Sequence, residues 1–137
     1  MKALRSKKDT AGVIRILIVD DNDDFRTHLK RFLSLQENVV VVGEAGNGMR
    51  AIYEAQTLKP DLILMDIAMP DVNGPDAART IGTVSPESRI VFLTIHDEET
   101  YHDLSRALRI DGLIAKQLLN IELPRYLQKF RKFPGFM

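Results

Sequence analysis

Short apolar runs alternate along this chain with longer stretches of helical periodicity. The runs are Arg15–Val19 (RILIV), Val39–Val42 (VVVV), Leu62–Met65 (LILM), Ile90–Leu93 (IVFL) and Leu113–Ala115 (LIA). They are brief, aliphatic and often β-branched, and polar or turn residues bound them. Near-continuous runs of this kind suit parallel strands buried on both faces. Between them, Asp23–Ser34 places Phe25, Leu29, Phe32 and Leu33 on one helical face. Met49–Leu58 follows the turn Asn47-Gly48, and Pro75–Gly82 opens on a proline, which suits a first helical position. Glu98–Leu108 carries acids at its front, where the helix dipole favours them. Asn120–Lys132 opens on a capping residue and ends in cations before Pro134-Gly135. Pro124 fits that helix only near its first turn.

Strict alternation of strand and helix predicts an α/β fold. It is a doubly wound parallel sheet with right-handed crossovers and helices on both faces. Residues 1–12 read as a flexible lead-in, 13–133 as the folded domain and 134–137 as a tail. Ligands of such sheets bind at the carboxyl ends of the strands, beside the topological switch point.

A chain of 137 residues fits one domain and buries enough surface to need no covalent staples. It has no cysteine, which excludes disulfides, zinc–thiolate sites, iron–sulfur clusters and a thiol nucleophile. No apolar run reaches the roughly 18 residues of a membrane span, and no secretory leader is recognisable, so the cytoplasm is the expected setting. Basic and acidic residues number 19 each, but residues 16–120 hold ten basic and seventeen acidic groups. An acidic body disfavours direct nucleic-acid binding and favours cations.

The chemistry-bearing residues follow the runs directly. The first run leads into Asp20-Asp21, the third into Asp66, the fourth into Thr94 and the fifth into Lys116. Taken singly, a strand-end aspartate is usually a turn or cap residue and a lone lysine a solvated charge. Taken together, they place three carboxylates, a hydroxyl and an ammonium on one rim of the sheet. Crowded carboxylates raise one another's pKa and destabilise the fold unless a cation joins them. All-oxygen ligands select Mg²⁺, with Mn²⁺ as the alternative. Such a set suits in-line phosphoryl transfer to Asp66, with metal and lysine offsetting the developing charge.

The stretches IVDDNDDFR, PDLILMDIAMPDVNG, VFLTIHDEE and DGLIAK resemble a response-regulator receiver domain of two-component signalling, over about residues 14–132. The resemblance implies a flavodoxin-like (βα)5 sheet of strand order 2-1-3-4-5. It implies that Asp66 is the phosphoacceptor and that Asp20 and Asp21 are the acidic pair, Asp21 ligating the metal directly. The backbone carbonyl of Ala68 would be a further metal ligand, Thr94 and Lys116 would contact the phosphoryl group, and Met69-Pro70 and Gly74 would shape the loop after Asp66. The implied donor is a sensor histidine kinase or a phosphotransfer protein. The implied output is changed protein–protein contacts, with a homodimer through helix four, strand five and helix five as one form. VVGEAGNGMRAI and TIHDEE resemble most the receivers that precede a LuxR/NarL-type helix-turn-helix domain, whose output is transcription. No such domain follows here, which leaves a stand-alone receiver or an excised fragment.

Three departures stand out. Leu113 occupies the position where the family often carries a switching aromatic ring. Gln117 stands where a proline often follows the lysine, so a cis bond is not expected. RALRIDGLIAK looks about two residues short between helix four and strand five. Ala68 and His96 occupy positions expected to tune the lifetime of the phosphoryl group, and the bulk of Ile95 is expected to limit small-molecule access. Gly43–Gly48 lacks a phosphate-loop order and reads as a turn. His28 and His102 read as surface residues. The aromatic face of Arg125–Phe133 is expected to pack on the sheet with its charges solvated. Two other readings compete: a pseudo-receiver that only binds, and a Mg²⁺-dependent phosphoaspartate phosphohydrolase. The latter class needs an acid two residues after the nucleophile, where this chain has Ala68.

Overall fold

The computed structural model describes residues 12–95 and 111–130. Along the chain run β1 (Ile14–Val19), α1 (Asp23–Ser34), β2 (Val39–Ala45), α2 (Gly48–Leu58) and β3 (Leu62–Asp66). They are followed by α3 (Gly74–Val84), β4 (Arg89–Thr94), β5 (Gly112–Ala115), a 3₁₀ turn at Lys116–Leu118 and α4 (Leu119–Lys129). The expected helix Glu98–Leu108, with Tyr101 and His102, lies outside the described residues. So do His96, most of the expected lead-in, part of the connection to strand five, and the tail from Arg131 onward.

The strands form one five-stranded sheet of order β2-β1-β3-β4-β5, paired in parallel throughout, as the sequence predicts. Each buried strand splits its side chains between two cores, because successive residues point to opposite faces. Leu17, Val19, Ile63, Met65, Ile90 and Phe92 meet Ala51 and Ala55 of α2 and Ala77 and Ile81 of α3. Ile16, Ile18, Leu62, Leu64, Val91 and Leu93 meet Leu29 and Leu33 of α1 and Leu119 and Leu123 of α4. Full burial of each large side chain is worth about 1.5–3 kcal/mol, so the sheet holds its helices in place from both sides.

Three helices begin at the same rim of the sheet, each capped by an asparagine. Asn22, Asn47 and Asn73 accept hydrogen bonds from the amides of Phe25, Arg50 and Asp76 at 2.8, 2.8 and 2.9 Å. Such a bond satisfies one of the orphan donors of a helix's first turn.

Several sequence expectations need correction. β2 runs on through Gly43–Ala45, so only Gly46-Asn47 remains of the glycine-rich turn. The register of β1 against β2 shifts between Ile16 and Leu17, which accommodates the longer strand. Asn120 does not cap the last helix: α4 starts one residue earlier, its cap is Leu118, and no side chain caps it. The cause is the Lys116–Leu118 turn, which runs straight into α4 and leaves no break where Asn120 could cap. Pro124 therefore sits inside the helix, beyond the first turn. α3 continues to Val84, past Gly82. Tyr126 is half-buried and Phe130 is buried, while Arg125 and Lys129 are exposed, as expected of that face. No helix among the described residues is long and apolar enough to cross a membrane.

Two glycines have opposite roles. A Cβ at Gly48 would lie 2.2 Å from the carbonyl oxygen of Val72, so α2 and the loop after β3 meet too closely for any side chain. A Cβ at Gly82 meets nothing within 4 Å. Gly48→Ala is expected to destabilise the domain by about 1–3 kcal/mol through overpacking. Gly82→Ala, on an exposed helical surface, is expected to stabilise it by about 0.5–1 kcal/mol. Urea unfolding of both variants checks the contrast.

Candidate functional site

The carboxyl ends of β1, β3 and β5 bring Asp20, Asp21, Asp66 and Lys116 together. β1 ends at Val19, so the next two residues emerge at the rim; Asp66 is the last residue of β3, and Lys116 directly follows β5. One carboxylate oxygen from each of Asp20, Asp21 and Asp66 lies within 4.8 Å of the others. The donors are all oxygen, which fits a hard divalent cation. Asp20 is buried at 2% exposure, Asp66 is half-buried and Asp21 is exposed. Burial therefore grades the three acids from the sheet outward.

Lys116 reaches into this cluster. Its Nζ donates to Asp20 Oδ2 at 2.7 Å and stands 3.8 Å from Asp66 Oδ1. The buried Asp20 is thus the lysine's close partner and Asp66 its second neighbour. The other oxygen of Asp20, Oδ1, accepts from the amide of Asn22 at 2.9 Å. The Lys116 ammonium also lies 4.3 Å from the ring centroid of Phe25 in the first turn of α1. The Lys116–Gln117 bond is trans, and Leu113 packs against the core beside Phe92 instead of standing at the rim.

One ammonium cannot offset three carboxylates. Burial pushes the Asp66 carboxyl above its ordinary range; Lys116 opposes this, Asp20 and Asp21 push it further up, and the amide of Ala68 opposes it from 3.5 Å. Thr94 ends β4, is buried and stands opposite Ala115 of β5, one residue before the lysine. Ile95 follows it and is exposed.

The loop between Asp66 and α3 is anchored at several points. The Ile67 amide donates to Leu93 O at 3.2 Å and the Gly74 amide to Ile67 O at 2.9 Å. A Cβ at Gly74 would lie 2.8–2.9 Å from the carbonyl oxygens of Ile67 and Asp66, so glycine is needed there. Asp71 accepts from the amides of Gly48 and Met49 at 2.9 and 3.1 Å, which holds its carboxyl below the ordinary range, the Gly48 bond first. On the opposite side, Arg26 donates to the backbone oxygen of Asp20 and pairs with Glu44 at 2.9 Å, and Lys30 reaches Glu44 at 2.7 Å.

Asp20, Asp21, Asp66, Thr94 and Lys116, expected on one rim, lie at the carboxyl ends of β1, β3, β4 and β5. The contacts of Phe25 with the lysine, of Arg26 with the backbone of Asp20, and of Asp71 with the first amides of α2 are not among the sequence expectations. Phe25 read as one member of an apolar helical face; the signal available was its place four residues after the acidic pair, in the turn that faces the strand ends.

A family model for the response regulator receiver domain matches residues 16–128. The response regulator protein VraR of Staphylococcus epidermidis is 42% identical over 105 residues, covering 75% of this chain and 49% of the relative. VraR of Staphylococcus aureus is 40% identical over the same length, with the same coverage. The chain thus spans about half the length of the curated relatives it matches. Among solved structures, the response regulator domain of Thermotoga maritima CheB superposes with a TM-score of 0.77 at 29% identity, covering 85% of this chain and 95% of that one. The isolated receiver of RcsB from Salmonella enterica serovar Typhimurium, solved with the phosphomimetic BeF₃⁻, gives 0.76 at 26% identity, covering 88% and 92%.

The folded chain binds the Asp66 proton more tightly than the unfolded chain does. Its ionisation therefore costs stability from the ordinary carboxylate range upward, in full once the pH exceeds the raised folded value. Without metal, Asp66→Asn is expected to be more stable than the parent at pH 7. The gain should shrink as the pH falls through the raised folded value and be gone below a pH of about 4, where Asp66 is neutral in both the folded and the unfolded chain. Thermal unfolding across pH measures this.

Proposed function

The chain belongs to the response regulator receiver domain family, and from that premise we propose that it is a switch phosphorylated on Asp66. The observation that carries the reading is the convergence of Asp20, Asp21 and Asp66 within 4.8 Å, with Lys116 inserted among them. Asp66 is the acceptor because it is the half-buried acid at the end of a central strand, within reach of both the lysine and the acidic pair. A carboxylate oxygen of Asp66 attacks the phosphorus of a phosphohistidine on a sensor kinase or phosphotransfer protein. The new P–O bond forms as the P–N bond breaks, and the imidazole nitrogen keeps the electron pair and takes up a proton.

Asp20, Asp21, Asp66 and the carbonyl of Ala68 would hold Mg²⁺, and Mn²⁺ in its place. Bound there, the ion supplies positive charge to the phosphoryl oxygens. Lys116 is a mobile point charge, able to exchange a carboxylate oxygen for a phosphoryl oxygen. Thr94 supplies a hydroxyl at the end of β4. The new dianion rebalances this rim and biases the contacts of strand β5 and the elements beside it. A second copy of the chain is one partner for that surface. Regulation of transcription follows where a DNA-binding domain is joined to the receiver, as the LuxR/NarL-like stretches and the length of the VraR relatives favour. Ala68 in place of a second acid disfavours a phosphohydrolase.

Incubation with acetyl phosphate and Mg²⁺ is expected to add one phosphoryl group by intact-mass analysis, and none to Asp66→Asn. Beryllofluoride with Mg²⁺, at a hundredfold excess over Kd, is expected to raise unfolding stability by about 2.7 kcal/mol. Phosphate retained on Asp66→Asn would contradict the assignment. Turnover of a phosphomonoester would revive the hydrolase, and absence of both responses would favour the pseudo-receiver.

A further inference from the structure

Among the described residues, three side chains stand close to the Lys116 ammonium. Two are the carboxylates of Asp20 and Asp66, at 2.7 and 3.8 Å. The third is the face of Phe25, whose centroid lies 4.3 Å from Nζ. That distance is well inside the roughly 6 Å over which a ring face attracts a cation. The lysine side chain is only 18% exposed, so water screens the contact little. Phe25 is itself fixed, half-buried against the α1-side core in the first turn of α1. The Asn22 side chain accepts from the Phe25 amide and its own amide donates to Asp20, so one residue links the ring's turn to the buried acid.

We propose that Phe25 is a positioning residue for Lys116, holding its ammonium at the acidic cluster by a cation–π contact. This rests on the reading of Asp66 as phosphoacceptor. The lysine's four-carbon stem is flexible, and confining it costs side-chain entropy. A further carboxylate could confine it, but only by neutralising the charge that the phosphoryl group needs. A ring attracts the cation without accepting its protons and without competing for a metal. The ring contact therefore persists as the ammonium turns from one oxygen to another, and it fixes the radius over which it turns. An aliphatic residue at position 25 would fill the same core space and lose this hold.

The test is a double-substitution cycle, read as the rate of Asp66 phosphorylation by acetyl phosphate at saturating Mg²⁺. Phe25→Leu is expected to slow the reaction about fivefold, in line with the usual strength of such contacts. Its half-saturating Mg²⁺ concentration should not rise, because the three carboxylates are untouched. Phe25→Tyr, which keeps the ring, should restore the rate. In a Lys116→Met background, Phe25→Leu should have no further effect, since no cation remains for the ring to hold. An equal slowing with or without the lysine, or a Phe25→Tyr variant as slow as Phe25→Leu, overturns the proposal. If the parent chain takes up no phosphoryl group at all, it is the acceptor reading that fails. The same cycle is then read in urea unfolding, where about fivefold non-additivity in the folding constant upholds the Phe25–Lys116 contact and simple additivity overturns it.

Discussion

Three carboxylates crowd one end of a buried sheet, and the rest of the molecule is organised around their mutual repulsion. Asp20 is almost wholly buried and tolerates its charge through Lys116 and the Asn22 amide. Among the described residues Asp66 has no comparable partner, and burial raises its affinity for a proton. One ammonium thus leaves the cluster short of positive charge. A fold optimised for stability alone would replace such a group of acids with apolar or neutral residues. On the function proposed above, the missing charge comes from outside, as a divalent cation.

The scaffold around the cluster is correspondingly rigid. β1, β3 and β4 are buried on both faces, so their ends are fixed to within the tolerance of packed side chains. The loop after Asp66 is closed on itself by the Gly74 amide and tied to α2 through Asp71. Gly48 and Gly74 allow backbone approaches that any Cβ would block. On the other side, Arg26 and Lys30 converge on Glu44, whose carboxyl is held below its ordinary range by Lys30 first and Arg26 after it. Arg26 thereby ties Glu44 of β2 to the backbone of Asp20.

The strands were legible because a doubly buried parallel strand leaves a continuous apolar run, and the residue after it must face the rim. Asp20, Asp66 and Lys116 were readable for that reason, whereas the order of the strands came from the family resemblance alone. What escaped was tertiary in origin. Asn120 looks like a helix cap, yet the preceding turn carries the chain into α4 without a break, and Pro124 ends up inside the helix. Gly43 looks like a turn residue, yet the strand continues because the register shift beside Ile16 lets it pair onward. The side chain that Lys116 chooses first, Asp20, depends on burial, which no spacing reveals. Phe25 has the same sequence signature whether it packs only on the core or also faces a cation.

The proposed switch requires that these acids form one cation site. Mn²⁺ titration followed by two-dimensional amide NMR tests this directly, because the ion broadens only signals near it. The expected result is broadening that begins at Asp20, Asp21, Asp66 and Ala68, at Mn²⁺ well below the protein concentration, and that is lost from these residues in Asp21→Asn. Broadening that begins instead at the exposed acids of α1, or that persists unchanged in the variant, would contradict it.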